Sequence, residues 1–374
     1  MAVRSWTMVG ALASAVGCGF PVVPATGGTA STSDGESSLG PVGADSTAAP
    51  SPDPDETSTG TTDPSPSSTT EGTTGEPLLG APYPILLAHG FFGFDELAGL
   101  PQVPYWYGVP EHLAEHGEGS VCVGEVDPFN DSTDRGLQLL EQAIACAEAT
   151  GHAKVNIIGH SQGGLDARVV ASLAPDLVAS VTTIATPHYG TPVADIVVNA
   201  VPGDGAAAVI DWLTQTLGAP LWDEIGNETS LFEAMAQMST AGIAQFNATY
   251  PDVPGVLYTS VTGRTGLHSG GTACEPNSPP PPLFITQWDD TLDTTDSLFL
   301  IPESILSAGI FSQEPNDGLV RVVDARWGEF LGCVPADHVD EVGHLLGDAA
   351  GLGNPWDHLE FYSALIAYLR ERGV

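Results

Sequence analysis

The sequence predicts an α/β fold with a mostly parallel central sheet covered by helices on both faces. Three observations predict it. "YPILLAHG" (83–90), "KVNIIG" (154–159) and "VASVTTIATP" (178–187) are short, nearly continuous apolar runs, the pattern of strands buried on both sides. "STDRGLQLLEQAIACAEATG" (132–151) carries apolar residues at helical spacing and stops at a glycine, and "GLDARVVASLA" (164–174) repeats that spacing directly after the second run. Strands alternating with helices require crossover connections, and these build a parallel sheet.

The chain before residue 78 is of another kind. "MAVRSWTMVGALASAVGCGF" (1–20) has Arg4, then an apolar stretch, then small residues ending at Cys18. It is too short to span a bilayer as a folded helix and reads as a secretory signal over residues 1–18. "AVGC" resembles a bacterial lipobox, in which the cysteine becomes the lipidated N-terminus, although Ala15 stands where that motif prefers leucine. Ordinary peptidase cleavage nearby is the alternative. Residues 19–77 are dominated by Ser, Thr, Pro, Gly, Asp and Glu. With little apolar surface to bury, they are expected to form a disordered, self-repelling linker, and residues 78–374 the folded domain.

The net charge of −38 with a single lysine, Lys154, argues against nucleic acid and against adhesion to anionic membranes. Divalent cations suit it better. If Cys18 takes a lipid, four cysteines remain: Cys122, Cys146, Cys274 and Cys333. An even set in an exported protein suggests two disulfides, most simply 122–146 and 274–333, though three pairings exist and free buried cysteines are an alternative.

The chemistry centres on "VNIIGHSQGGLDAR" (155–168). Gly159-His160-Ser161-Gln162-Gly163 has the Gly-x-Ser-x-Gly spacing, a moderate signal in a chain with 44 glycines. Context strengthens it, since a strand enters Ser161 and a helix leaves it. The serine then sits on a sharp turn above the carboxyl end of the sheet, where the helix N-terminus favours negative charge. The arrangement resembles the nucleophile elbow of the α/β-hydrolase fold. A serine needs a base and the base an orienting acid, and in this fold class the order is Ser, acid, His. Among the downstream histidines, His188 follows a strand and His268 lies in a glycine-rich loop. His338 sits on a loop after "RWGEFLGCV", and His358, at the start of the last amphipathic helix, competes with it. For the acid, Asp317 stands at a turn before a strand-like run, while Asp324 and Asp337 are less well placed.

"YPILLAHGFFGFDELAG", "YWYGVPEHLAEHG", "KVNIIGHSQGGLDAR", "PDLVASVTTIATPHYGTPVAD", "PNDGLV" and "DHVDEVGHLLG" together resemble, in order, segments of the secreted bacterial triacylglycerol lipases of the Pseudomonas and Burkholderia type. The likeness is close over about residues 82–200 and in blocks over 290–350. It implies Ser161 as nucleophile, Asp317 as acid and His338 as base, with the backbone N–H groups of Phe91 and Gln162 forming the oxyanion hole. It also implies a structural Ca2+ held by Asp293, Asp340 and the backbone carbonyls of His344 and Asp348, an oxygen set suited to a hard cation. Two departures stand out. The family's disulfide places a cysteine where this chain has Val323, so any bridge here differs. The lid of the family falls in the weakly matched stretch, where the apolar-rich residues 194–222 could form a helical lid insertion or plain core helix.

The expected activity is that of an exported or surface-tethered lipase working through an acyl-enzyme on lipid esters at an oil–water interface. Membrane contact is expected only through the N-terminal lipid, and export machinery or a folding chaperone, as some relatives need, are possible partners. An esterase, polyester depolymerase or phospholipase on the same scaffold is the alternative. A non-catalytic surface-binding lipoprotein is the alternative from another class, and the complete Ser, Asp, His set counts against it.

Overall fold

Among the described residues, six parallel strands form one sheet in the order β2-β1-β3-β4-β5-β6. The strands are β1 (Ile85–Ala88), β2 (Val121–Gly124), β3 (Val155–His160), β4 (Val178–Ile184), β5 (Leu257–Gly263) and β6 (Glu329–Val334). The computed structural model describes residues 77–91, 104–199, 228–266, 270–277, 279–307, 314–343, 350–351 and 353–374. Cys18, the signal, the linker up to residue 76, His268, His344 and Asp348 lie outside the described residues.

Alternation along β1 divides the core. Ile85 and Leu87 pack with Val109 and Leu113 of α1 (Val109–Glu115), joined by Tyr362, Leu365 and Leu369 of the C-terminal helix. Leu86 and Ala88 point the other way, against Leu139 and Ala143 of α2 (Ser132–Thr150) and Val170 and Ala171 of α3 (Gln162–Leu173). Both faces of the sheet are therefore dry, which is why its central strands read as continuous apolar runs. Helix α2 has the bounds its sequence predicts. The Asp131 carboxylate accepts from the N–H groups of Thr133 and Asp134 at its start, and Gly151 at φ 72° turns the chain out at its end.

Helix α4 (Pro192–Val198) opens the stretch expected to contain a lid; residues 200–227 lie outside the described residues. Helices α5 (Glu228–Met238) and α6 (Thr240–Thr249) follow, with Met235, Met238, Ile243 and Phe246 packed against Leu165 and Val169 of α3. Three short helices, α7 (Leu283–Thr286), α8 (Leu300–Leu306) and α9 (Val322–Ala325), precede the long C-terminal α10 (His358–Glu371). The strand-like run expected after Asp317 is instead a turn leading into α9. Asp317 Oδ1 accepts from the N–H groups of Leu319 and Val320, which curls the backbone where a strand would need it extended.

Disulfides Cys122–Cys146 and Cys274–Cys333 are both formed. The first ties β2 to α2, and the second ties the turn Gly271–Cys274 to β6. Among the described residues no helix is long and apolar enough to cross a membrane.

Candidate active site

The turn after β3 brings chain segments into contact that only glycines permit. A Cβ on Gly159 would lie 2.4 Å from the Gly163 carbonyl oxygen, and one on Gly163 would lie 2.2 Å from that of Ala88. Ser161 between them has φ 54° and ψ −128°, a conformation rarely adopted by a residue with a side chain. Its N–H donates to the Ile184 carbonyl at 2.8 Å, and its carbonyl accepts from Thr186 Oγ1 at 2.7 Å. The helix α3 begins at the next residue, Gln162, whose backbone N–H is among those lacking an intrahelical acceptor.

Gly90 runs directly past the serine: a Cβ there would come within 2.6 Å of Ser161 Cβ. Phe91 follows it, its ring edge-on to Phe129. The two residues expected to offer oxyanion N–H groups thus flank Ser161 in the fold, one on each side. The loop is braced from behind by the fully buried Arg135, which donates to the carbonyls of His89 at 2.7 Å and Asp127 at 2.7 Å and pairs with Asp166 at 2.8 Å.

From the far end of the sheet come the other two predicted residues. His338 lies beyond β6, and its Nδ1 is 2.8 Å from Asp317 Oδ2. The second oxygen of Asp317 is held by the two turn N–H groups, and the His338 N–H donates to the Asp317 carbonyl at 2.8 Å. The aspartate is fully buried. Fixing Nδ1–H on the carboxylate leaves Nε2 as the basic nitrogen. An apolar cleft adjoins Ser161, lined by Phe91, Pro187, Val193, Ala194, Met235, Met238, Leu319 and Val320. Its lining suits an acyl chain.

The competing residues have other partners. His358 Nε2 contacts the Tyr107 carbonyl. His188 is buried between Thr183 and Arg168 and stacks on Trp327; burial, then the Arg168 charge, pushes its pKa well down. Asp324 pairs with Arg321.

Asp293 and Asp340 come together, and with them a residue weighed only as a catalytic acid, Asp337. Each offers a carboxylate oxygen, and these lie within 4.8 Å of one another. All three side chains are buried. Burial, then the charge of Asp296, pushes Asp337 up to about 8; burial, then Asp337, pushes Asp340 up to about 9. Such a group of carboxylates is costly unless a cation or protons neutralise it. Three carboxylate oxygens so close together are the donor chemistry that suits a hard dication. His160 and Glu341 also escaped sequence reasoning; they lie with His338 in a second buried group. The adjacency of His160 to Ser161 and of Glu341 to His338 was the available signal.

A strained serine at the carboxyl edge of a parallel sheet, beside an Asp-held histidine and an apolar cleft, defines a serine ester hydrolase of the α/β-hydrolase superfamily. The family model described as the alpha/beta hydrolase fold matches residues 83–251. The chain is 36% identical over 271 residues to a triacylglycerol lipase of Vibrio cholerae, covering 71% of this chain and 81% of the relative. It is 34% identical over 291 residues to one of Burkholderia plantarii, covering 71% and 80%. A metagenomic carboxyl esterase of known structure shares the fold, at a TM-score of 0.52 and 18% identity over 82% of each chain. The chain belongs to the bacterial triacylglycerol lipases.

The acidic group generates a prediction for the metal-free protein. A carboxyl whose pKa is raised by folding stabilises the folded state while protonated in both states and loses that advantage as pH rises towards the folded value. In chelator, the stability difference between wild type and Asp337→Asn/Asp340→Asn should shift in favour of the variant as pH climbs from about 4 to about 9. Thermal melts of both proteins across that range measure it, and parallel curves would contradict it.

Proposed function

We propose that this protein hydrolyses triacylglycerols at an oil–water interface, with Ser161, His338 and Asp317 as its catalytic triad. Ser161 Oγ attacks the ester carbonyl while His338 Nε2 takes its proton and passes it to the leaving alcohol; water activated by the same nitrogen then releases the acid. Asp317 holds the imidazole in the tautomer this needs. The N–H groups of Phe91 and Gln162 stabilise the tetrahedral oxyanion. The observation that carries this reading is the strained Ser161 at the mouth of an apolar cleft. Ser161→Ala and His338→Ala should each lower kcat by more than about 10³-fold without loss of fold, whereas His358→Ala should remain active. Assays on p-nitrophenyl esters of increasing chain length, with and without emulsified triglyceride, test the substrate. Preference for short soluble esters would make the protein an esterase, and phospholipid or polyester turnover in place of triglyceride would assign it to those classes.

We also propose a structural Ca2+ held by Asp293, Asp337 and Asp340, with the carbonyls of His344 and Asp348 completing the set. The ion would fix the loop that carries His338 and neutralise its acidic neighbours; it takes no part in the ester chemistry. Binding to the native state alone stabilises by about 3 kcal/mol when free calcium is a hundred times Kd. Chelation should lower Tm, Asp293→Ala and Asp340→Ala should each reproduce that, and chelator should then add little. Identical melts with and without chelator, with no calcium in the purified protein, would remove the ion.

The site of action is proposed from the N-terminus. "AVGC" followed by an acidic, Ser/Thr/Pro-rich spacer supports an exported enzyme tethered to the cell surface through lipid on Cys18. Export machinery, and a folding chaperone of the kind some relatives need, would be its transient partners. Cys18→Ala should move the protein from a detergent-extracted fraction to the soluble exported one. A wild-type protein already wholly soluble would contradict the tether.

A further inference from the structure

Behind Ser161, three side chains distant in sequence form a hydrogen-bonded chain. The Tyr105 hydroxyl lies against Gly90, 2.7 Å from where a Cβ on that residue would stand. The phenol donates to His160 Nδ1 at 2.5 Å, and His160 Nε2–H donates to Glu341 Oε2 at 2.9 Å. Each member belongs to a different part of the site. Gly90 precedes Phe91, His160 precedes Ser161, and Glu341 stands three residues beyond His338 on the turn Asp340–Val342. The imidazole rings of His160 and His338 are 4.6 Å apart, centre to centre.

We propose that Tyr105, acting through this chain, is a positioning residue that holds the Gly90–Phe91 loop against the nucleophile so that the oxyanion is met by donors already in place. The inference rests on the triad and oxyanion assignments above. Gly90 has no room for a side chain: a Cβ there would meet both Ser161 Cβ, at 2.6 Å, and the Tyr105 hydroxyl, at 2.7 Å. The phenol therefore sets how far the loop can stand from Ser161. It is itself set by His160, whose ring is held by Glu341, so the three catalytic segments share one set of distances. An apolar trio would fill the same space without the cost of burying a histidine and a glutamate, and Glu341 is fully buried. Burial, then the Asp317 charge, raises the Glu341 pKa well above the ordinary carboxylate range. What the polar chain supplies and apolar packing does not is a directionally fixed Tyr105 hydroxyl against Gly90. Oxyanion donors act by being preorganised, so loss of that constraint falls on the transition state and spares ground-state binding.

The test is made on the full-length enzyme with p-nitrophenyl esters, rates being normalised by phosphonate titration of active sites. Wild type and Ser161→Ala first establish ester hydrolysis at Ser161, so failure of that reading is seen separately. Tyr105→Phe should then lower kcat about tenfold with KM within about twofold, and weaken a trifluoromethyl ketone that forms a tetrahedral adduct with Ser161 in the same proportion. Tyr258→Phe, a remote hydroxyl that accepts from the Val253 N–H, should leave both unchanged. Glu341→Gln, whose amide oxygen accepts the same bond, should keep kcat within about twofold, while Glu341→Leu should lose about tenfold. An unchanged kcat and inhibitor affinity in Tyr105→Phe, or a raised KM alone, overturns the proposal. If Tyr105→Phe does not fold, equal kcat in the two Glu341 variants overturns it.

Discussion

Ser161 holds φ 54° and ψ −128° because the chain around it has given up side chains where they would collide. A backbone conformation of this kind costs on the order of 1–3 kcal/mol and persists only where surrounding contacts over-determine it. Here those contacts are the Ser161 N–H bond to Ile184, the Thr186 hydroxyl on its carbonyl, and three neighbouring glycines packed against main chain or Thr186. A Cβ on Gly164 would lie 2.0 Å from Thr186 Oγ1, so even the helix behind the serine depends on the bond that holds its carbonyl. The close passage of Gly90, the start of α3 at Gln162 and the approach of the β6 loop are arranged around that one residue.

Electrostatics follows from how the few cations are used. Of the nine Lys and Arg residues, Arg135, Arg168 and Arg264 are at most 1% exposed. Arg135 and Arg264 donate mainly to main-chain carbonyls, those of His89 and Asp127 and of Trp288 and Asp289, whereas Arg168 divides its donors between the Asn247 side chain and the Tyr250 carbonyl. Arg168 also lies 3.9 Å over the Trp327 ring, which holds the guanidinium without a carboxylate in direct contact. A lysine has neither the planar fork nor the stacking face for these positions. These three buried positions thus call for arginine.

The fold was legible where a strand is buried on both faces and long enough to be seen, as in β1, β3 and β4, and where caps are spelled out, as at Asp131 and Gly151 of α2. It was not legible in β2, four residues long with Val123 exposed, nor in β5, whose Leu-Tyr-Thr-Ser-Val-Thr-Gly reads as polar. Two hydroxyls of β5 are buried because they find partners in the fold: Thr259 pairs with Thr182, and Ser260 binds the Trp327 carbonyl. Such partners lie far along the chain and leave no periodic trace. Ser161 was readable from its Gly-x-Ser-x-Gly spacing together with the strand before it and the helix after it. Placement favoured Asp317, but setting His338 above His358 rested on family resemblance, because contacts between the ends of separate strands have no local signature. Asp337 was weighed for the wrong task, since its distance from Asp293 appears only once β6 is in the sheet.

The loop Asp337–Glu341 shows how two incompatible environments can be kept one residue apart. Its turn is closed by N–H bonds from Glu341 to the Asp337 carbonyl and from Val342 to that of Val339. Residues three apart on so tight a turn lie on one side of it. Asp337 and Asp340 therefore face Asp293, whereas His338 and Glu341 face His160. The acidic side repels itself unless a cation or protons neutralise it, while the other side carries the imidazole that Asp317 holds. Interleaving them makes the position of the base depend mechanically on the charge balance behind it, although the two sets face opposite ways. A cation bound as proposed would act on catalysis only through the backbone of these five residues, because the carboxylates that hold it face away from His160.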